Sequence, residues 1–203
     1  HWAVCTFTGS DYSHCELVIN GVCWSASARD GAPGKRDGVR GKVIDLHSGR
    51  WDVIDLPDTR VSVYPWWDGP VGRDALASRM AAEAAQRPAR WIWVYHWPPL
   101  GSPTSWTGRR HYGDQELGAW IDRFQPDLVL TGHVHEPPFK PAGNWADRRG
   151  RSWIFNPGRQ IGPVPAHICI DLAAGSAAWF SMMGQEDLLL SAAAAPERSV
   201  LDR

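Results

Sequence analysis

Three short polar clusters in this chain have the residue types for metal and phosphate chemistry, and each follows an apolar run. Trp91–Tyr95 (WIWVY) leads into His96, then Trp97-Pro98-Pro99. Asp127–Leu130 (DLVL) leads into Thr131-Gly132-His133-Val134-His135. Trp153–Phe155 leads into Asn156-Pro157-Gly158. Neutral imidazole is a good ligand for borderline metals such as zinc, manganese and iron. Two His one residue apart, after a Gly that permits a tight backbone path, can aim at two neighbouring ions. Two ions ~3.5–4 Å apart clamp a phosphoryl group between them. The Pro pair stiffens the loop after His96 and fixes the approach of that side chain. Between the two His loops lies Trp106–Tyr112, whose Arg109 and Arg110 suit a phosphate charge. In the same stretch, His111 is of a type that donates a proton to a leaving group. The bland alternative is a solvated basic loop, and an isolated His-x-His is more often a surface pair.

For these clusters to meet, their apolar runs must be neighbouring parallel strands, because ligands gather outside the carboxyl ends of such strands. Helix and strand patterns do alternate over residues 60–183. Arg73–Gln86 puts Leu76, Met80 and Ala84 on one helical face, and Gln115–Phe124 turns Leu117, Trp120 and Ile121 inward. Val61–Tyr64, His167–Asp171 and Ala177–Phe180 read as further strands. The expected fold class is therefore α/β, a layered sheet with flanking helices. Residues 1–58 have another texture. Trp2–Thr8, Cys15–Asn20, Val22–Ser27, Lys42–Leu46 and Trp51–Leu56 read as short strands of a small antiparallel segment. The Gly- and charge-rich Arg29–Arg40 reads as an exposed loop within it. The expected organisation is 1–58, a β segment; 59–190, the α/β domain; and 191–203, a tail.

Composition narrows the classes. The 203 residues are 43% hydrophobic and 21% charged, enough for a core without staples. A net charge of −1 gives no global electrostatic case for nucleic acid or a membrane surface. Thirteen Trp are spread along the chain and read mainly as core and groove residues. The four Cys form no CxxC pair and no disulfide framework, so a reducing cytoplasm is the expected setting. No apolar run approaches the ~20 residues of a membrane span, and no signal-peptide pattern opens the chain. The oligomeric state stays open.

The order YHWPP, helix, DLVLTGHVHEPPF, strand, FNPG closely resembles the C-terminal half of calcineurin-like metallophosphoesterases, over roughly Val61–Phe180. The GHVH block is the most specific part. The resemblance implies that His96 and His133 bind one metal and His135 the other. It implies iron, manganese or zinc as cofactor, and hydrolysis of phosphomonoesters or phosphodiesters at a dinuclear site. The chain departs from that family's first half. It has no GDxxD, and no Asn lies between Asn20 and Asn144 to build a GNH motif. Its one Asp-x-His, Asp45-Leu46-His47, stands at a strand end and fits the missing ligand role loosely. The alternative for that stretch is a charged strand edge before the turn His47-Ser48-Gly49.

Residues 1–58 resemble the first half of phage-associated, permuted papain-like cysteine hydrolases through Tyr12–Val18 (YSHCELV) and Val22–Gly31. That resemblance implies His14 as a base. A nucleophile does not follow, since Cys169 lies inside a strand pattern and Cys15 points away from His14. Three readings compete: a metal-dependent phosphoesterase lacking part of its ligand set, a non-catalytic fusion or remnant, and a cysteine hydrolase using His14.

Overall fold

In the computed structural model the described residues are 3–7, 16–19, 22–25, 52–65, 71–86, 88–161 and 164–195. They form two six-stranded sheets and two helices. The first sheet is mixed. It contains β4 (Asp52–Asp55), β5 (Arg60–Val63), β6 (Trp91–Val94), β7 (Leu128–Leu130), β8 (Ala146–Arg149) and β9 (Ser152–Phe155). Its spatial order is β4-β5-β6-β7-β9-β8. The four central strands run parallel, and β4 and β8 close the edges antiparallel. The second sheet is antiparallel throughout. It combines β1 (Ala3–Phe7), β2 (Glu16–Ile19) and β3 (Val22–Ser25) with β10 (His167–Asp171), β11 (Ser176–Ser181) and β12 (Gly184–Leu189). Its order is β12-β11-β10-β1-β2-β3.

Strand alternation builds the layers. In β6, Ile92 and Val94 face one way, into a core shared with Leu130, Phe155, Ile168, Ile170 and Trp179. That core lies between the two sheets. Trp91, Trp93 and Tyr95 face the other way, toward Leu76 and Met80 of α1 (Arg73–Ala85) and Leu117, Trp120 and Ile121 of α2 (Leu117–Phe124). A parallel strand covered on both faces must be apolar at every position, and WIWV is buried at all four. Helix α1 also buries Glu83, which accepts from Ser62 Oγ at 2.5 Å and Tyr64 OH at 2.7 Å. Burial and that carboxylate both push the Tyr64 phenol well above its ordinary pKa. The carboxylate of Asp114 caps α2, accepting from the backbone N–H groups of Glu116 at 2.7 Å and Leu117 at 2.9 Å.

Two strand expectations need correction. The sequence pattern groups Trp51–Leu56 with the N-terminal antiparallel segment, but β4 pairs with β5 in the mixed sheet. The reason is local. Leu56 N–H donates to Thr59 carbonyl at 2.8 Å, closing a tight turn that folds β4 back on β5. β8 and β12 are not expected from sequence, because ADRR and GQEDLL are too polar to read as strands. Both sit at sheet edges, where among the described residues one flank meets no neighbouring strand. The expected strand Lys42–Leu46 and loop Arg29–Arg40 lie outside the described residues. The anticipated boundary near Asp58 falls in the turn between β4 and β5, and β1 pairs with β10 from the far end of the chain.

Candidate metal centre

The carboxyl ends of β6, β7 and β9 lie side by side. Backbone bonds continue beyond the strands. Tyr95 N–H donates to Leu130 carbonyl at 2.9 Å, Gly132 N–H to His96 carbonyl at 3.2 Å, and Thr131 N–H to Phe155 carbonyl at 2.8 Å. The loops therefore leave the sheet in register. His133 then adopts φ 61°, a left-handed conformation, and its ring swings toward His96. His96 Nε2 and His133 Nδ1 lie 2.8 Å apart, with ring centroids at 4.6 Å. Two nitrogens bound to one zinc at ~2.0–2.1 Å stand roughly 3.3 Å apart at the tetrahedral angle, so the pair opens by about half an ångström to hold an ion. The pair supplies two nitrogen donors of the type such an ion takes.

His135 stands apart from the pair. Among the described residues, no three His, Cys, Asp or Glu side chains group closely enough to hold a metal. The backbone carbonyl of His135 accepts from Arg159 N–H at 2.9 Å. Burial pushes its imidazole below the ordinary pKa, Arg159 adds to the shift, and Glu136 opposes it. That shift favours the neutral ring, the form that binds metals. Asp45, His47 and His14 lie outside the described residues.

The flank of the pair is aromatic. Trp97 stacks on His133 with centroids 3.9 Å apart and planes at 27°. Tyr112 meets Trp97 edge-on at 4.5 Å, and the Arg110 guanidinium lies 5.5 Å over the Tyr112 ring. Tyr112 and Arg110 come from a hairpin pinned by the Trp106–His111 bridge and by Tyr112 N–H donating to Ser105 carbonyl at 2.8 Å. Arg109 and Arg110 are both exposed at its tip. His111 packs against Trp106, with ring centroids 5.0 Å apart. Its Nδ1 lies 3.1 Å from Ser102 carbonyl and 3.0 Å from Ser105 Oγ. The Ser105 hydroxyl already donates to that carbonyl at 2.7 Å. A carbonyl only accepts, so Nδ1 is the donor toward Ser102, and in the neutral ring Nε2 is left as the acceptor.

Sequence reasoning missed two supporting residues. Trp97 reads in the sequence only as part of a Pro-stiffened loop. Asp114 is buried, and its Oδ2 accepts from Tyr95 OH at 2.7 Å, one residue before His96. Its backbone pairs with the same loop, through Pro98 carbonyl and Leu100 N–H, each at 2.8 Å. A Cβ on neighbouring Gly113 would meet Pro98 carbonyl oxygen at 2.4 Å, so that approach demands Gly. An Asp just ahead of an expected helix is the ordinary capping signal that could have found Asp114.

A family model described as calcineurin-like phosphoesterase matches residues 14–137. The match includes His96, His133 and His135, and it runs through residues 14–58. The resemblance of that segment to cysteine hydrolases finds no support. No curated protein matches. Among solved structures, TT1561 of Thermus thermophilus is 16% identical with a TM-score of 0.38, covering 72% of this chain and 59% of its own. The purple acid phosphatase PPD1 from yellow lupin (Lupinus luteus) seeds is 10% identical with a TM-score of 0.40, covering 71% and 31%. Another crystal structure is 16% identical with a TM-score of 0.45, covering 73% and 55%. The chain thus spans less than two thirds of the length of each of these structures.

Proposed function

Because the chain belongs to the calcineurin-like phosphoesterase family, we propose that it is a metal-dependent hydrolase of phosphomonoesters or phosphodiesters. The approach of His96 Nε2 to His133 Nδ1 at 2.8 Å, at the carboxyl edge of a parallel sheet, carries this reading. On it, His96 and His133 hold one divalent ion and His135 belongs to a second. Asp45 and His47 are the proposed remaining ligands. Manganese, iron or zinc, when bound there, supplies Lewis-acid charge to the phosphoryl group.

The chain's own residues do the rest. The strand ends and their hydrogen bonds hold the imidazoles in place before substrate arrives. Arg109 and Arg110 present exposed guanidinium groups to the ester's charge. In His111 the Nδ1 proton is committed to Ser102 carbonyl, so Nε2 is the atom that exchanges a proton with a leaving group.

Metal content and manganese-dependent hydrolysis of bis(4-nitrophenyl) phosphate test the reading. The protein is expected to bind metal and turn over, and His133→Ala and His135→Ala are each expected to abolish turnover. Absence of both metal and turnover would leave a non-catalytic relative of these enzymes.

A further inference from the structure

The turn after β9 reaches beneath the His loop after β7 and grips it twice. Asn156 is fully buried at the end of β9. Its Nδ2 donates to Val134 carbonyl at 2.9 Å, the carbonyl midway between His133 and His135, and to Thr104 carbonyl at 2.9 Å. Its Oδ1 accepts from Gly158 N–H at 3.0 Å. One residue further, Arg159 N–H takes the next carbonyl of the His loop, that of His135. Gly158 has φ +67°, and a Cβ there would lie 2.8 Å from the His135 carbonyl oxygen. The turn is thus seated against the loop it holds.

This arrangement demands an amide. Two carbonyl oxygens face the side chain, so it must offer two donors while still accepting from Gly158. Asp would set a carboxylate against both carbonyls, and Leu would remove all three hydrogen bonds. The gripped loop also departs from ordinary backbone conformation, at His133. Such a conformation persists only where the surroundings over-determine it.

We infer that Asn156 is a positioning residue for the metal centre. Through Val134 carbonyl it holds the His133–His135 loop in the conformation that brings His133 Nδ1 to His96 Nε2. The inference rests on the proposed function for the role of those nitrogens as ligands. It does not need that function for the clamp itself.

The test compares three proteins for Co²⁺ affinity, followed by the visible spectrum of the ion, and for thermal stability. They are the wild type, Asn156→Asp and Trp179→Phe. The last removes a neighbouring buried bond, from Trp179 Nε1 to Pro157 carbonyl, outside the His loop. Asn156→Asp is expected to weaken Co²⁺ binding by roughly 10–100-fold, as loss of groups that orient ligands does. Trp179→Phe is expected to lower Tm while keeping the affinity. Wild-type affinity in Asn156→Asp overturns the inference, as does a loss in both variants that simply follows Tm. If Asn156→Asp does not fold, Asn156→Ser, shorter and with one donor, takes its place, and failure of both overturns a role confined to the loop. If the wild type binds no Co²⁺, the proposed function fails and the clamp is still read in metal-free protein. The imidazole ¹⁵N spectrum should then show the His96–His133 hydrogen bond in the wild type and its loss in the variant. Its persistence in the variant overturns the inference.

Discussion

At His133 the backbone runs through φ 61°, which costs a non-glycine residue roughly 1–2 kcal/mol. What offsets this is visible around the ring: His96 on one nitrogen and the Trp97 face stacked at 3.9 Å. The stacked indole must shield the imidazole protons. We predict that the His133 ring protons resonate upfield of those of an exposed His, and that Trp97→Leu moves them downfield. Unchanged shifts in Trp97→Leu would show that the stack is absent in solution. His96 and His133 are legible in the sequence because each ends an apolar run, and a parallel sheet brings such ends together. Trp97 is not legible, because its partner is distant in the chain and its neighbours, two Pro, explain the loop without it. His135 illustrates another limit. One intervening residue suggests a shared site, yet among the described residues His135 forms no three-residue group with the pair.

Among the elements, α2 is held at both ends by carboxylates, and each end makes a prediction. Asp114 caps its start and also takes the Tyr95 hydroxyl. Asp114→Ala should cost about 1–3 kcal/mol in chemical denaturation, from a lost cap and the lost hydrogen bond to the Tyr95 hydroxyl. Asp114→Asn should cost much less, since the amide oxygen still caps and its nitrogen still meets Tyr95. Near its end, Asp122 makes a two-pronged bond with Arg149 of β8, both contacts 2.6 Å. Arg149 holds the Asp122 carboxyl below its ordinary pKa of 3.8. The folded state therefore gains from the charged form. That gain is complete above the ordinary value and is lost as pH falls through the folded one. The pair is exposed, so it contributes about 0.2–1 kcal/mol at neutral pH. Asp122→Asn should lower stability by that amount at pH 7 and leave it unchanged at the acid end. An equal deficit at both pH values would mean that packing, not charge, is responsible. These elements differ in legibility. α1, α2, β6, β7 and β9 announce themselves by apolar periodicity. β8 does not, because ADRR at a sheet edge needs few apolar contacts. β4 is visible as a strand, but the sheet it joins depends on the turn at Leu56–Thr59, whose geometry the residues alone do not specify.

At the scale of the molecule, the two sheets share one core, and the chain crosses between them in a way that bears on its division into domains. The first strand, β1, lies between β2 and β10, so residues from opposite ends of the chain form one sheet. β4 likewise covers the edge of β5. Residues 59–190 made alone would lose both neighbours. Two strand edges, along β10 and β5, would then present unpaired N–H and C=O groups, and such edges recruit other chains. The core against Ile168, Ile170 and Trp179 would also lie under an incomplete sheet. We predict that the 59–190 piece associates or precipitates in size-exclusion chromatography and melts well below the full chain. A monomeric piece with native near-UV dichroism and an undiminished Tm would mark the turn at Asp58 as a true domain boundary. Metal binding by the same samples locates the rest of the site. Asp45 and His47 belong to the part removed, whereas His96, His133 and His135 remain. If those two complete the ligand set, even a folded 59–190 piece should bind Co²⁺ more weakly than the full chain, and adding the separate 1–58 segment should restore affinity only where the β1–β10 pairing re-forms.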